Sequence, residues 1–387
     1  MGENNRLTLL LLTVLLVLQA WYAFGLPDGI EASSKVTRHY LKPVLVLILA
    51  YSLVLGGRIT PWLFLVTAAA GLLFYQLMLV DTSHWIAAWN GQRVDFDIIN
   101  AQHAGMMSGS LLLGLVAFGP RVLSFLTGFP RLLAAMTLIF CFVLSLLAVL
   151  ASQSRATWLG LAAALVIGLL LMLLMPRSTP SSRTWRLRSL GVTAAVVALA
   201  GAVAILAFDA DDRIAKRIST EHISIAELAS TADVTSNTDP NTSITIRVAS
   251  WGAAFRWFQE RPLLGWGAGT TKELIQQSDF FSDSFKRHFG HLHNSFVESL
   301  VAHGIVGSLI LASLMVWIGC ATVLGFKRGT LPGDVFIFAW AFFVFWVAIN
   351  TFESYTLYPT GQYINAVVVG FIYSFYLRSK LRVHAHD

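Results

Sequence analysis

Residues 132–175, LLAAMTLIFCFVLSLLAVLASQSRATWLGLAAALVIGLLLMLLM, contain two apolar runs separated by a short polar turn whose one charged residue is Arg155. Each run has the roughly 20 residues that a helix rising about 1.5 Å per residue needs to cross a bilayer core of about 30 Å. Within hydrocarbon a chain must satisfy its backbone hydrogen bonds inside its own segment, so the pair reads as two transmembrane helices joined at a membrane surface.

The same pattern recurs along the chain. Hydropathy marks ten spans, at 7–26, 43–56, 60–80, 99–119, 132–151, 156–175, 189–208, 297–326, 334–352 and 361–377. The chain is 56% hydrophobic and 12% charged with a mean hydropathy of +0.67, whereas an average soluble domain is about 25% charged. The fold class expected is an all-α membrane protein, a polytopic transmembrane helical bundle of 10–12 spans with one large outer loop containing helices. Its domains are 1–208, the N-terminal transmembrane bundle; 209–296, the outer loop; and 297–387, the C-terminal transmembrane helices. The first apolar run is too long for a signal-peptide core and reads as the first span. Cys141 and Cys320 both lie in apolar runs, which excludes a disulfide framework and a C-x-x-C motif.

Sidedness follows from Lys and Arg in the short connections. With the N-terminus cytoplasmic, the inward stretches hold 13 Lys and Arg in 51 residues and the outward ones 5 in 46. Both termini are therefore read as cytoplasmic, and 209–296 lies on the far side. The net charge of +6 is a topology signal, and no nucleic acid is expected as a partner. Within the loop, 213–230 has amphipathic helical spacing, 231–243 is polar and turn-rich, and ITIRVASWGAAFRWFQERPLLGWGAG (244–269) reads as a helix stopped by Pro262.

The groups suited to chemistry gather on the outer side. Arg155 sits where one span ends and the next begins, and an arginine there is costly against lipid. Arg247 and Arg256 stand nine residues apart, half a turn out of phase on a regular helix. His288, His291 and His293 precede the span at 297. They admit three readings: a metal site, interfacial polar residues, or one general base at the membrane edge. Asp95-Phe96-Asp97 and Asp209-Ala210-Asp211 are D-x-D pairs of the kind that holds a metal in some membrane glycosyltransferases. GWGAG (265–269) offers amides to a phosphate or is simply a turn.

HLHNSFVESLVAHGIVG (291–307) resembles the signature of the O-antigen ligases and their relatives, the O-antigen polymerases and some protein-glycan ligases. That signature is His, then Asn, Ser or Gln, nine residues, Gly, two residues, then Gly, Thr or Tyr. Here His293-Asn294 is followed at those intervals by Gly304 and Gly307. SQSRATWL (152–159) and TSITIRVASW (242–251) are similar to the family's arginine segments. The resemblance implies a multi-pass protein of a Gram-negative inner membrane whose site faces the periplasm. His293 would be the catalytic base, with Arg155 and Arg247 binding pyrophosphate. Asn294, Arg256, His291 and His303 would be supporting residues, and Gly304 and Gly307 structural ones that let the following helix pack closely on a neighbour. No cofactor and no metal is implied. The donor would be a glycan on undecaprenyl pyrophosphate, and the acceptor a sugar hydroxyl of lipid A-core. A polymerase carries the same signature, and a metal-dependent polyprenyl-phosphate glycosyltransferase using Asp95 and Asp97 is the alternative from another enzyme class. A lipid-linked-glycan transporter with the arginines along its path is the non-enzyme alternative.

Overall fold

A computed structural model describes residues 36–175 and 243–383. The expected spans 7–26 and 189–208, the amphipathic stretch 213–230 and the Asp209–Asp211 pair lie outside the described residues. Among these residues the chain is all-helical. In order they are α1 (Val36–Leu55), α2 (Thr60–Phe74, running on as a π-turn through Leu79), α3 (Thr82–Trp89), α4 (Ala101–Ser124), α5 (Gly128–Ala151) and α6 (Arg155–Leu174). Then follow α7 (Ser243–Glu260), α8 (Thr271–Gln277), α9 (Asp283–His288), α10 (Ser295–Lys327), α11 (Gly333–Asn350) and α12 (Pro359–Val383). Six are long and apolar enough to cross a membrane: Thr60–Leu79, α4, α5, α6, α10 and α11. The chain is thus a multi-pass, all-α membrane protein.

It divides into two compact units. Among the described residues, one comprises 36–48, 243–319 and 350–362; the other comprises 49–175, 320–349 and 363–383. This division groups the outer-loop residues from 243 onward with the first part of α10 and with 350–362.

In the second unit α4 packs along α5 and against α6, and small residues set the spacing. A β-carbon at Gly109 or at Gly160 would come within 3.0 Å of the Phe345 ring, which is fully buried. Backbones approach closely where side chains are absent, the usual way membrane helices gain dispersion contacts. Hydrogen bonds then tie the connections into two sets. In one, Val94 N donates to Ala151 O at 3.1 Å, Arg93 Nε to Ser152 O at 3.2 Å and Gln153 Nε2 to Gly91 O at 2.9 Å. In the other, Arg121 Nη2 donates to Asp334 Oδ1 at 2.6 Å while its guanidinium stacks 4.8 Å over Trp62. Arg378 Nη2 donates to Gly57 O at 2.6 Å there as well.

In the first unit the governing feature is a break in α10. Gly304 has φ 60° and ψ −164°, so the helical ladder is interrupted there. The carbonyls of Val301 and Ala302 accept instead from Trp266 N (2.9 Å) and Gly267 N (2.8 Å). The amides of Ile305 and Val306 donate to Pro262 O (2.8 Å) and Leu263 O (3.1 Å). Four backbone groups orphaned by the break are satisfied by one turn of the preceding loop, as burial in an apolar environment requires. Contact is tight enough to demand glycine on both sides. A β-carbon on Gly304 would overlap the Leu263 carbonyl, and one on Gly265 (φ 74°) would overlap Gly304 N and Val301 O. The close approach expected of Gly304 is therefore to a loop backbone, and not to a neighbouring helix. A side chain at Gly307 would instead collide with Cβ of His303.

This arrangement makes Gly304→Ala strongly destabilising, because it combines a left-handed φ with direct overlap; a cost of about 2–4 kcal/mol is expected. Gly252→Ala at an exposed position of α7, with nothing within 4 Å of the added carbon, is expected to be neutral or slightly stabilising. Thermal unfolding of the two purified variants in detergent checks the contrast.

Candidate functional site

The loop core of the first unit is a small apolar cluster that positions HLHN. Ala253, Ala254 and Trp257 on one face of α7 pack with Leu274, Ile275, Phe281, Phe285, Leu292 and Val301. Phe281 and Phe285 stack with centroids 4.3 Å apart. α7 ends at Glu260, just ahead of Pro262, as the sequence predicts. Leu292 anchors the histidine segment: it is completely buried, its carbonyl accepts from Trp251 Nε1 at 3.0 Å and its amide donates to Glu298 Oε2 at 2.9 Å. Because Leu292 points into this cluster, the two histidines flanking it turn together to the other side.

His293 adopts φ 52°, a left-handed conformation that a residue with a β-carbon holds only when its surroundings impose it. The next residue supplies part of the constraint. Asn294 Oδ1 accepts from Phe296 N (2.9 Å) and Val297 N (3.1 Å), so Asn294 is the N-cap of α10. A residue of the Asn/Ser type suits that position because its side chain satisfies otherwise orphaned amides. Asn294 N donates to Ser354 Oγ at 3.2 Å, and Ser295 Oγ donates to Asn350 Oδ1 at 2.6 Å.

Both histidines converge on Glu353, whose side chain is 2% exposed. Its Oε1 lies 3.4 Å from His291 Nδ1, and its Oε2 lies 3.6 Å from His293 Nδ1. Ser354 N donates to Oε1 at 2.9 Å. Burial pushes the Glu353 carboxyl up, but the hydrogen bond from His293, the charges of His291 and His293 and the Ser354 amide outweigh it and hold the group at about 2. Tyr358 moves the opposite way: burial, followed by the charges of Glu353 and Glu298, raises its phenol above the ordinary range. His293 Nε2 is buried and has no hydrogen-bond partner among the described residues. A histidine with Nδ1 turned to a carboxylate and Nε2 unpartnered is arranged to accept a proton at Nε2.

Arg247 reaches the same segment. Its Nε and Nη2 donate to Phe352 O at 3.1 and 3.0 Å, one residue before Glu353. Arg256 is exposed and lies 4.2 Å over the Phe280 ring, away from that carbonyl, as the half-turn offset on α7 predicts. His303 is buried at the break in α10. His288 is exposed, and its Nδ1 pairs with Ser284 O. Of the three histidines grouped from sequence, then, His288 drops out and Glu353 takes its place. GWGAG is a docking turn, with the amides of Trp266 and Gly267 committed to α10.

Arg155 belongs to the second unit. It is the exposed first residue of α6, directly after the N-cap Ser154. That unit also gathers His84 Nε2 within 3.3 Å of Asp97 and His84 Nδ1 within 3.8 Å of Asp95. Phe96 between the two aspartates is buried, and Phe96 and Asp97 have φ of 53° and 56°.

Residues 140–312 match the protein family described as O-antigen ligase. Over that stretch, somewhat less than half of the chain, the sequence is similar to that family. The matched stretch includes Arg155, Arg247, His293, Gly304 and Gly307, whereas Glu353 lies beyond it. No curated protein matches the chain. The sequence pattern does not single out Glu353, Glu298 and Ser354. One signal was available: Glu353 is the only charged residue in the 353–360 connection.

The Glu353 carboxylate sets a pH dependence whose direction is fixed by its lowered value. Its contribution to stability is fully present above about pH 4.5 and is lost as pH falls through about 2. Glu353→Gln removes that dependence, so melting temperatures of wild type and variant should converge as pH drops from 5 toward ~2. A gap that stays constant over that range contradicts an ionised Glu353.

Proposed function

We propose that this protein is a glycosyltransferase of the ligase type, transferring an O-antigen glycan from undecaprenyl pyrophosphate to a sugar hydroxyl of lipid A-core. The observation that carries the reading is the geometry of His293, with Nδ1 toward Glu353 and Nε2 unpartnered. In the transfer step the acceptor hydroxyl oxygen attacks the anomeric carbon and its proton passes to His293 Nε2. The bond from that carbon to the pyrophosphate oxygen breaks, and undecaprenyl pyrophosphate leaves. A single displacement of this kind inverts the anomeric centre. Glu353 holds the imidazole in the tautomer that leaves Nε2 as acceptor and stabilises the imidazolium formed, the part a carboxylate plays in a Ser-His-Asp triad.

The leaving group is already a stable anion, so the reaction needs charge stabilisation more than a general acid. Arg247 supports that role, since its planar fork lies on the Phe352 carbonyl and matches phosphate oxygens equally well. Arg155 is given a pyrophosphate-binding role through its likeness to the family's arginine segment. Both substrates are lipids, which accounts for a site carried by a membrane protein at the edge of α10. The basic-residue asymmetry puts that edge on the periplasmic side of the inner membrane, with both termini in the cytoplasm.

His293→Ala should lower transfer about 10²–10⁴-fold while the protein still inserts. Purified enzyme, lipid-linked donor and a defined lipid A-core acceptor make the measurement; wild-type rates in the variant exclude His293 as base. Product that instead grows on undecaprenyl pyrophosphate identifies a polymerase. The grouping of His84, Asp95 and Asp97 favours a second reading, a metal-dependent transferase using Asp95 and Asp97. Transfer that persists in EDTA and in Asp95→Asn eliminates it.

A further inference from the structure

We propose that His291, His293 and Glu353 form a binding site for a divalent transition-metal ion of the Zn²⁺ class, and that occupancy of this site switches the enzyme off. One ligand atom from each of the three residues lies within 4.8 Å of the other two. Tetrahedral Zn²⁺ with bonds of about 2.0–2.2 Å to nitrogen and oxygen needs ligand atoms about 3.3–3.5 Å apart. The His291 Nδ1–Glu353 Oε1 separation of 3.4 Å and the His293 Nδ1–Glu353 Oε2 separation of 3.6 Å are close to that length, each to a different oxygen of the one carboxylate, so a small rotation of the carboxyl group brings one oxygen into a shared site. Two imidazoles and one carboxylate leave a fourth position open, and imidazole nitrogen selects Zn²⁺, Co²⁺ or Ni²⁺ over Mg²⁺ or Ca²⁺.

Two further observations support a ligand set held in place before any ion arrives. His291 Nδ1 lies 3.3 Å from His293 N and 3.4 Å from Glu353 Oε1, so the nitrogen is already held beside the carboxylate; an ion would bind its neutral form and release any proton it carries. The backbone that carries the ligands is pinned independently of them. Leu292 is held at both its carbonyl and its amide, Asn294 caps α10, and Ser354 N braces Glu353 Oε1. Donors fixed by surrounding hydrogen bonds bind metal with little reorganisation.

The inhibitory consequence rests on the reading of His293 as the base. In the working enzyme Nδ1 of His293 carries the proton and faces Glu353, leaving Nε2 to accept. A metal on Nδ1 displaces that proton, and the neutral imidazole then carries its hydrogen on Nε2. The nitrogen that must accept a proton becomes a donor. No bond in either substrate changes, and removal of the ion restores the original tautomer.

Titration of tag-free, purified full-length protein with Co²⁺ tests the site directly, through the visible d–d absorption of a low-symmetry complex and its loss on adding Zn²⁺. We expect one equivalent bound by wild type and by His288→Ala. His291→Ala should weaken binding by more than the roughly 10–100-fold that loss of an outer-shell partner produces. Equal Co²⁺ binding by wild type and His291→Ala overturns the proposal, whatever the transfer activity. The second measurement is the ratio of transfer rates with and without Zn²⁺, taken within each variant. Inhibition of wild type that is absent in His291→Ala completes the case. Binding without inhibition keeps the metal site and removes His293 from the role of base, so the two readings fail separately.

Discussion

Four backbone hydrogen bonds exchanged at Gly304 hold the functional end of this protein together. A helix entering an apolar environment cannot leave amides and carbonyls unpaired, and α10 nevertheless breaks. It does so because the 262–267 turn supplies two donors and two acceptors in register with the gap. The exchange fixes the first turns of α10 against the loop core. In so doing it fixes Asn294, the α10 cap, and His293 immediately before it. Gly304 and Gly265 are there because the two backbones touch at positions where any side chain would occupy the same space.

A chain of local constraints then converts that anchor into a reactive geometry. Leu292 is buried and held at both ends of its peptide unit, so the histidines on either side emerge together on the opposite face. The left-handed φ of His293 is a strain that the capping Asn294 and the buried Leu292 impose. Glu353 gives this strain its purpose by drawing both imidazoles onto one carboxylate. That carboxylate stays ionised despite burial because two histidines and a backbone amide surround it. The carboxylate that faces His293 Nδ1 also completes the three-ligand set proposed above, so the proposed metal would occupy one ring nitrogen and alter the other.

Much of this was legible in the chain. Apolar runs of membrane-crossing length appear as helices over 60–79, 101–124, 128–151, 155–174, 295–327 and 333–350. Hydropathy and backbone self-satisfaction are local properties, and composition reports them faithfully. The stop of α7 before Pro262 follows from proline's missing amide. The half-turn offset of Arg247 and Arg256 follows from helical periodicity, and their separate partners, the Phe352 carbonyl and the Phe280 ring, bear it out. The spacing from His293-Asn294 to Gly304 and Gly307 is a one-dimensional pattern and survives as one.

What the sequence by itself determined was the class of fold, the helix boundaries set by Pro and polar turns, and the fixed spacing from His293-Asn294 to Gly304 and Gly307. The tertiary structure alone decided who His293 faces. Glu353 stands 60 positions away in the chain and enters the site because 350–362 and the loop fold into one compact unit. His288, only five positions from His293, turns outward to Ser284 because α9 ends there. Partnership across such separations depends on where segments pack, which no local propensity encodes. Gly304 shows the same division: its place in the pattern was visible in the sequence, but its reason, a loop backbone at van der Waals limit, exists only once the chain has folded.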